Sequence, residues 1–236
     1  MSPRDPQAEL KVLAAQLEGR PPAEIMAAAV ARHPGRIALA CSFGAEDCLL
    51  VEVVARERLA VDIFTIDTGV LFPETYDLWR RLEARTGLTI RAVRGAVTSP
   101  APGAPPPWEV DADACCDVRK VQPLRAKLGT LGAWVTGIRR DQTPERASAR
   151  VIEWDARFGL EKVNPLAGWT SEQVWEQLRR GGVPVNPLHA QGYLSIGCAP
   201  CTSPVRPGED PRAGRWRGSE KKECGLHLGP PKAGGG

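Results

Sequence analysis

The sequence has no long uncharged apolar run. Its richest stretch, Cys48 to Ala55, is broken by Glu52, whereas a membrane-spanning helix needs about 20 consecutive apolar residues. A membrane partner is therefore not expected. The N-terminal MSPRDPQAEL has no apolar core of the secretory kind, which makes the cytoplasm the expected compartment. No Gly-Lys-Ser/Thr occurs, so a Walker A phosphate loop is excluded. No internal repeat is evident. An excess of one charge is lacking too: Lys and Arg number 31 against 28 Asp and Glu, and the whole surplus lies after Ser203. A long nucleic acid, which demands a broad basic face, is not expected as a partner.

What is present fits one large domain or a domain with an appendage. The chain has 236 residues, 42% of them apolar and 25% charged, enough for a sizeable core. Residues 7–32 carry apolar positions at helical spacing. After them, short apolar runs alternate with helical stretches. Strands are expected at Ile37–Cys41, Val61–Ile66, Leu88–Val93 and Ala133–Gly137, with shorter ones at Val151–Trp154 and Glu161–Asn164. Helices are expected to Arg58, from Pro73 to Thr86, over 117–129, and from an N-cap at Thr170 to Leu178. This alternation predicts an α/β fold with a doubly wound, mostly parallel sheet. The stretch Ser99–Pro107, with five prolines, suits neither a helix nor a strand interior. Residues 1–203 read as a single α/β domain. Residues 204–236 read as a flexible basic tail, with seven Lys/Arg, four Asp/Glu and 13 Gly or Pro. Such a tail suits a small anionic ligand.

In such sheets, ligands bind beyond the carboxyl ends of the strands. Three loops are expected there: Ser42–Asp47, Asp67–Gly69 and Gly137–Arg146. The first ends a strand and opens a helix, so its Ser hydroxyl, Gly44 backbone and helical amides can hold polar groups of a nucleotide. A simple helix cap is the plainer reading. Gly137-Ile-Arg-Arg-Asp-Gln…Arg146 and Arg212-Ala-Gly-Arg215 offer guanidinium forks for phosphate or sulfate oxygens. Solvated basic loops are the plainer reading of both. His33 and His189 have no clear partners in the sequence and read as structural.

Seven cysteines in a reducing compartment point to metal ligands or reactive thiols rather than disulfides. Cys41 and Cys48 lie in an apolar region. Cys115 and Cys116, then 81 residues, then Cys198-x-x-Cys201, can converge on one centre. Four thiolates suit a 4Fe–4S cluster or tetrahedral zinc, and adjacent cysteines sit more easily on the larger cluster. Buried core cysteines remain the plain alternative. Cys224, in Lys-Lys-Glu-Cys-Gly-Leu-His, has lysines before it and His227 after it. That setting favours thiolate, and so a nucleophile, against the plainer reading of a spare surface thiol.

Taken together, the stretches SFGAED (42–47), DTGVLFPET (67–75), CCDVRKVQPL (115–124), GIRRDQTPER (137–146), KVNPLAGW (162–169), NPLHAQGYLSIGCAPCTSPVRPGEDPRAGRW (186–216) and ECGLH (223–227) resemble the assimilatory adenylyl-sulfate (APS) reductases of the sulfonucleotide reductase family. The resemblance implies a Rossmann-like fold shared with PP-loop ATP pyrophosphatases. It implies a 4Fe–4S cluster on Cys115, Cys116, Cys198 and Cys201, and Cys224 as the nucleophile. It implies adenosine held near Ser42, Gly44, Ile66 and Gly137, with Lys120, Arg146, Arg212, Arg215 and His227 facing the phosphosulfate. The implied substrate is adenosine 5′-phosphosulfate, the implied reductant thioredoxin or a glutaredoxin-like dithiol, and a homo-oligomer is compatible with it. Two departures stand out. The segment before the paired cysteines is cut down to the proline-rich stretch and Trp108, and Glu145 occupies a position where a small residue is usual. The alternatives are the same chemistry on the 3′-phosphorylated substrate (PAPS), a PP-loop tRNA-thiolating enzyme, and a zinc-stabilised binding module.

Overall fold

The computed structural model describes residues 6–96, 103–217 and Lys221. Six strands form one sheet: β1 (Ile37–Ala40), β2 (Asp62–Ile66), β3 (Ile90–Val93), β4 (Ala133–Val135), β5 (Ile152–Asp155) and β6 (Leu160–Val163). Their order is β3-β2-β1-β4-β6-β5. All neighbours run parallel except the terminal β5–β6 hairpin. The expected alternation is thus realised as a doubly wound α/β sheet, with each strand within two residues of its expected limits.

The reason is visible in burial. Parallel strands are covered on both faces and read as continuous apolar runs. Ile37, Ala38 and Leu39 are all buried, as are Ala133, Trp134 and Val135. One face packs the larger core, under helices α1 (Pro6–Leu17), α2 (Pro22–Arg32), α3 (Ala45–Arg56), α4 (Pro73–Thr86) and α8 (Ser171–Gly181). The other face builds a smaller cluster from Phe64, Trp134, Leu124, Leu128 and Leu160. The Thr170 cap is a full capping box: its side chain accepts from Gln173 N, while Gln173 reaches back to the Thr170 N–H at 2.8 Å. At the amino ends of the strands, buried Glu161 accepts from Arg32 at 2.5 and 3.1 Å and lies 2.8 Å from His33 Nε2. These charges are saturated among themselves and serve the fold. No helix among the described residues is long and apolar enough to cross a membrane.

Two features position the site beyond what was expected. Helical structure begins at Pro107, not at 117. A short helix α5 (Pro107–Val110), with Pro107 in its first turn, is followed by α6 (Ala112–Cys116), a π-helical turn (Asp117–Val121) and α7 (Gln122–Leu128). Asp111 caps α6 by accepting from Asp113 N and Ala114 N, both at 2.9 Å. The paired cysteines therefore stand on a helix that runs into a π turn. Such turns insert an extra residue per turn and often mark functional sites. Gly95, just past β3, makes room for this turn: a Cβ there would collide with the Val118 carbonyl.

Second, the chain does not detach at residue 204. Thr202 pairs with Arg215 in an antiparallel bridge. Ser203 N donates to Gly214 O at 2.9 Å, and Trp216 N donates to Cys201 O at 3.0 Å. Packed structure runs on through Trp216, which is 5% exposed. The sequence pattern fades after Pro184 because this part is made of short turns, Pro187–Gln191 and Ala199–Cys201, that carry no periodicity.

Candidate active site

Strand order reverses between β1 and β4, and the crevice at their carboxyl ends is where a doubly wound sheet binds ligands. A cavity of about 880 Å³ opens there. Its floor is the loop after β1. Ser42 N and Oγ both donate to Asp47 Oδ2 at 2.6 Å. Asp47 lies in the first turn of α3, where the helix dipole favours a carboxylate. Burial nevertheless outweighs Ser42 and raises its pKa to about 6. Phe43 takes a left-handed backbone, φ 63°. Strain of this kind costs about 1–3 kcal/mol and persists only where packing enforces it. Here the Phe43 ring is buried, 5.5 Å from the Trp79 ring.

The loop after β4 closes on the same turn. A Cβ at Gly137 would clash with Asp47 Oδ1 and with Glu46 Cβ, so only glycine allows this approach. Gln142 then ties the loops together. Its Nε2 donates to Glu46 Oε1 at 3.1 Å, and its Oε1 accepts from Arg139 N at 3.1 Å and from Arg146 Nη1 at 2.5 Å. The three arginines of this loop part company. Arg139 is buried between Glu46 and Asp141, 3.3 Å from each. Arg140 forks onto Glu18 at 2.8 Å, away from the cavity. Arg146, like Arg139, lines the cavity, but it is tied to Gln142 rather than sandwiched between carboxylates.

Ser42, Gly44, Ile66, Lys120, Gly137, Arg146, Arg212 and Arg215 all line this one cavity. These are eight of the nine residues expected to bind substrate. The ninth, His227, and the expected nucleophile Cys224 lie outside the described residues. Glu145, the unusual neighbour of Arg146, is exposed. Its pKa is lowered by its own backbone N–H and the Thr143 hydroxyl, with Arg146 and Arg212 adding their field. The sequence reading missed several wall residues. Glu46, Arg139 and Gln142 pair across some 96 residues of chain, which leaves no local signal. His189, read as structural, lines the cavity edge-on to Trp175 at 5.2 Å. Its Nδ1 is 2.9 Å from the Tyr193 carbonyl, and burial lowers its pKa.

The four cysteines meet in a second, smaller cavity. Cys115, Cys116, Cys198 and Cys201 line it with Val70, Trp108, Pro200, Arg119 and Lys120. Lys120, on the π turn, and Cys198 line both cavities. The loop after β2 is the partition. Asp67 accepts from Tyr76 at 2.7 Å, from Gly69 N at 3.0 Å and from Arg94 Nε at 2.8 Å. Together these outweigh burial and lower its pKa. The loop so held gives Thr68 O to Arg119 at 2.6 Å, Thr68 Oγ1 to Cys198 Sγ at 3.4 Å, and Val70 O to Ala199 N at 2.8 Å. Burial raises the Cys201 thiol, Cys198 and Cys115 add to it, and Lys120 and Arg215 oppose it. The thiols therefore act on one another and on the site cations. Among the described residues, no three His, Cys, Asp or Glu converge on a point fit for a metal ion. Cys41 and Cys48 lie outside this cavity and are buried in the larger core, with Cys41 also bordering the substrate cavity.

The profile of the phosphoadenosine phosphosulfate reductase domain matches residues 36–204, more than half of the chain. The chain belongs to this family. Among curated relatives of this reductase, the adenosine 5′-phosphosulfate reductase of Allochromatium vinosum is 47% identical over 212 residues, covering 84% of this chain and 81% of that protein. The phosphoadenosine 5′-phosphosulfate reductase of Gloeobacter violaceus is 42% identical over 228 residues, covering 94% and 95%. Among solved structures, the phosphoadenylyl-sulfate reductase of Candida auris superposes with a TM-score of 0.75 at 27% identity, covering 87% of this chain and all of that one. FMN adenylyltransferase of Candida glabrata shares the fold alone, with a TM-score of 0.58 at 14% identity over 92% of this chain and 75% of that one.

Proposed function

We propose that this reductase converts adenosine 5′-phosphosulfate to sulfite and AMP, with a thioredoxin-type dithiol as the source of electrons. The observation that carries the reading is the single cavity at the β1/β4 reversal. It gathers a nucleotide floor (Ser42, Gly44, Ile66, Gly137) and a set of cations (Lys120, Arg146, Arg212, Arg215) that suit a nucleotide ending in an anion.

The Cys224 thiolate attacks the sulfur of the phosphosulfate. The bond from that sulfur to the bridging oxygen breaks, and its electron pair leaves with AMP. Cys224 then carries an S-sulfonate. A thiolate of the dithiol attacks Cys224 Sγ and releases sulfite. The second thiol resolves the mixed disulfide, returning Cys224 to a thiolate and leaving the partner oxidised. Two electrons pass from the dithiol to sulfur. An anionic nucleophile meets an anionic substrate in the first step, so cations aimed at the phosphosulfate lower the barrier. One such donor is typically worth about a hundredfold in rate or more. Arg146 is held in its aim by Gln142.

The four-cysteine cavity suits a 4Fe–4S cluster held by Cys115, Cys116, Cys198 and Cys201. The donor set is four thiols, the walls are apolar, and two buried cations, Arg119 and Lys120, offset the negative charge of thiolates. When bound, such a cluster supplies a fixed, electron-rich charge beside Lys120 and the substrate cavity.

A relative is named for the 3′-phosphorylated substrate, so the two nucleotides are the arms of the test. Anaerobic holoenzyme with thioredoxin and adenosine 5′-phosphosulfate is expected to yield sulfite and AMP in equal amounts, with adenosine 3′,5′-bisphosphate formed slowly from PAPS. Equal rates on both would make the enzyme dual in specificity. Sulfite from neither would overturn the proposal.

A further inference from the structure

Thr136 follows β4, donates its backbone N–H to the Val163 carbonyl at 2.9 Å, and is 2% exposed. A buried hydroxyl needs a partner. Its partner is the fully buried Asn164, whose Oδ1 lies 2.6 Å from Thr136 Oγ1. Which way the proton points is decided one step further out. The Asn164 amide also lies 2.8 Å from the Arg150 carbonyl oxygen and 3.0 Å from Glu153 Oε1. A carbonyl and a carboxylate only accept, so the amide nitrogen faces them. The amide oxygen then faces Thr136, and the Thr136 hydroxyl is the donor. Its one proton is committed inside the protein. Thr136 also lines the substrate cavity. Side chains alternate along a strand, so Thr136 projects from the same sheet face as Trp134. Five apolar residues of that face, Ala40, Phe64, Ile66, Leu124 and Trp134, line the same cavity. This wall suits the flat base of a nucleotide rather than its anionic end.

We infer that Thr136 is a specificity-determining residue that reads the 6-amino group of the purine. The inference rests on the reading of this cavity as the nucleotide site. With its proton committed to Asn164, the Thr136 oxygen has only lone pairs to offer a ligand. Adenine carries an N–H donor at C6. A 6-oxo purine carries an acceptor there, and two acceptors facing each other in a cavity repel and leave both unpaired. Asn164 does not line the cavity, yet it fixes the polarity of a group that does.

Calorimetric titration of the anaerobic holoenzyme tests it with three nucleotides that differ at C6. AMP has an amino group there, purine riboside 5′-monophosphate a hydrogen, and inosine 5′-monophosphate an oxygen. AMP is expected to bind about tenfold more tightly than purine riboside 5′-monophosphate and about a hundredfold more tightly than inosine 5′-monophosphate. Thr136→Val keeps the shape of the side chain and removes its oxygen. It is expected to weaken AMP about tenfold and leave purine riboside 5′-monophosphate unchanged, so that the two bind alike. Thr136→Ser, which keeps the hydroxyl, is expected to restore the tenfold preference. Equal weakening of both nucleotides in Thr136→Val overturns the inference, since a merely structural hydroxyl would act on both. So does a preference for AMP that survives Thr136→Val. Should Thr136→Val not fold, because Asn164 Oδ1 has lost its donor, the wild-type series decides: inosine 5′-monophosphate bound as tightly as AMP overturns the inference, and the hundredfold gap supports it. Failure of the wild-type enzyme to bind AMP at all overturns the nucleotide reading of the cavity and the inference with it. AMP bound without discrimination at C6 overturns the inference alone.

Discussion

Two sets of cysteines occupy this molecule, and burial does not separate them. Cys41 and Cys48 are 2% and 0% exposed, and Cys116 and Cys198 are 7% and 5%. Their neighbours separate them. Cys41 and Cys48 sit in the larger core, where burial first and Asp47 second push both thiols well above their ordinary range. They are small apolar fillers and poor nucleophiles. Cys115, Cys116, Cys198 and Cys201 surround a space faced by Arg119 and Lys120. A thiol becomes a ligand or a nucleophile through the charges around it rather than through its depth.

The predictions test this contrast, beginning with the largest effect. Cys198→Ala is expected to abolish iron binding and reduce sulfite production to background, by iron analysis and product assay. Cys48→Ala is expected to retain both. If the two variants behaved alike, the contrast would fail. Next comes the cation side of the substrate cavity. Arg146→Ala is expected to lower kcat/KM about a hundredfold. Gln142→Ala, which removes the acceptor that aims Arg146 together with the links to Glu46 and the Arg139 N–H, is expected to cost about tenfold in kcat/KM. A larger loss from Gln142 than from Arg146 would reverse their roles.

A third prediction concerns Asp47, whose pKa of about 6 stands against an ordinary 3.8. The native state holds this proton more tightly than the unfolded chain does. Stability from this group therefore rises as pH falls from about 6 toward 4 and is lost as pH rises through that window. Binding should move the other way, since the Ser42 N–H and hydroxyl are oriented by the carboxylate. Adenosine affinity is expected to weaken as pH drops below about 6, by at most about tenfold per pH unit for one proton. Asp47→Asn should remove both dependences, as calorimetric titration and urea denaturation across pH 4–7 would show. The smallest effect belongs to the core set. Cys48→Ala is expected to cost about 1 kcal/mol of stability. Cys48, 0% exposed and away from the substrate cavity, should resist iodoacetamide until the protein unfolds.

Much of this was legible in the sequence, for definite reasons. Strands buried on both faces write themselves as apolar runs. Chemistry at strand ends falls in short loops next to those runs, so Ser42, Gly137 and Arg146 could be named before their distances were known. What was hidden has no local mark. The cysteine helix starts at Ala112 because Asp111 caps it, just downstream of a proline-rich stretch that reads as loop. The bond from Gln142 to Glu46 spans 96 residues. The turns that carry residues 204–217 back onto Cys201 depend on a bridge between Thr202 and Arg215, which no periodicity announces. Telling apart Arg139, neutralised in the cavity wall by Glu46 and Asp141, Arg140, drawn away by Glu18, and Arg146 required knowing which carboxylates stood beside them.

The most direct test of the account is the mass of the Cys224 peptide after anaerobic incubation of the holoenzyme with adenosine 5′-phosphosulfate and no dithiol. The account predicts a sulfonate on Cys224 that disappears, with release of sulfite, when thioredoxin is added. An unmodified Cys224 peptide from iron-loaded protein that still binds AMP would contradict it.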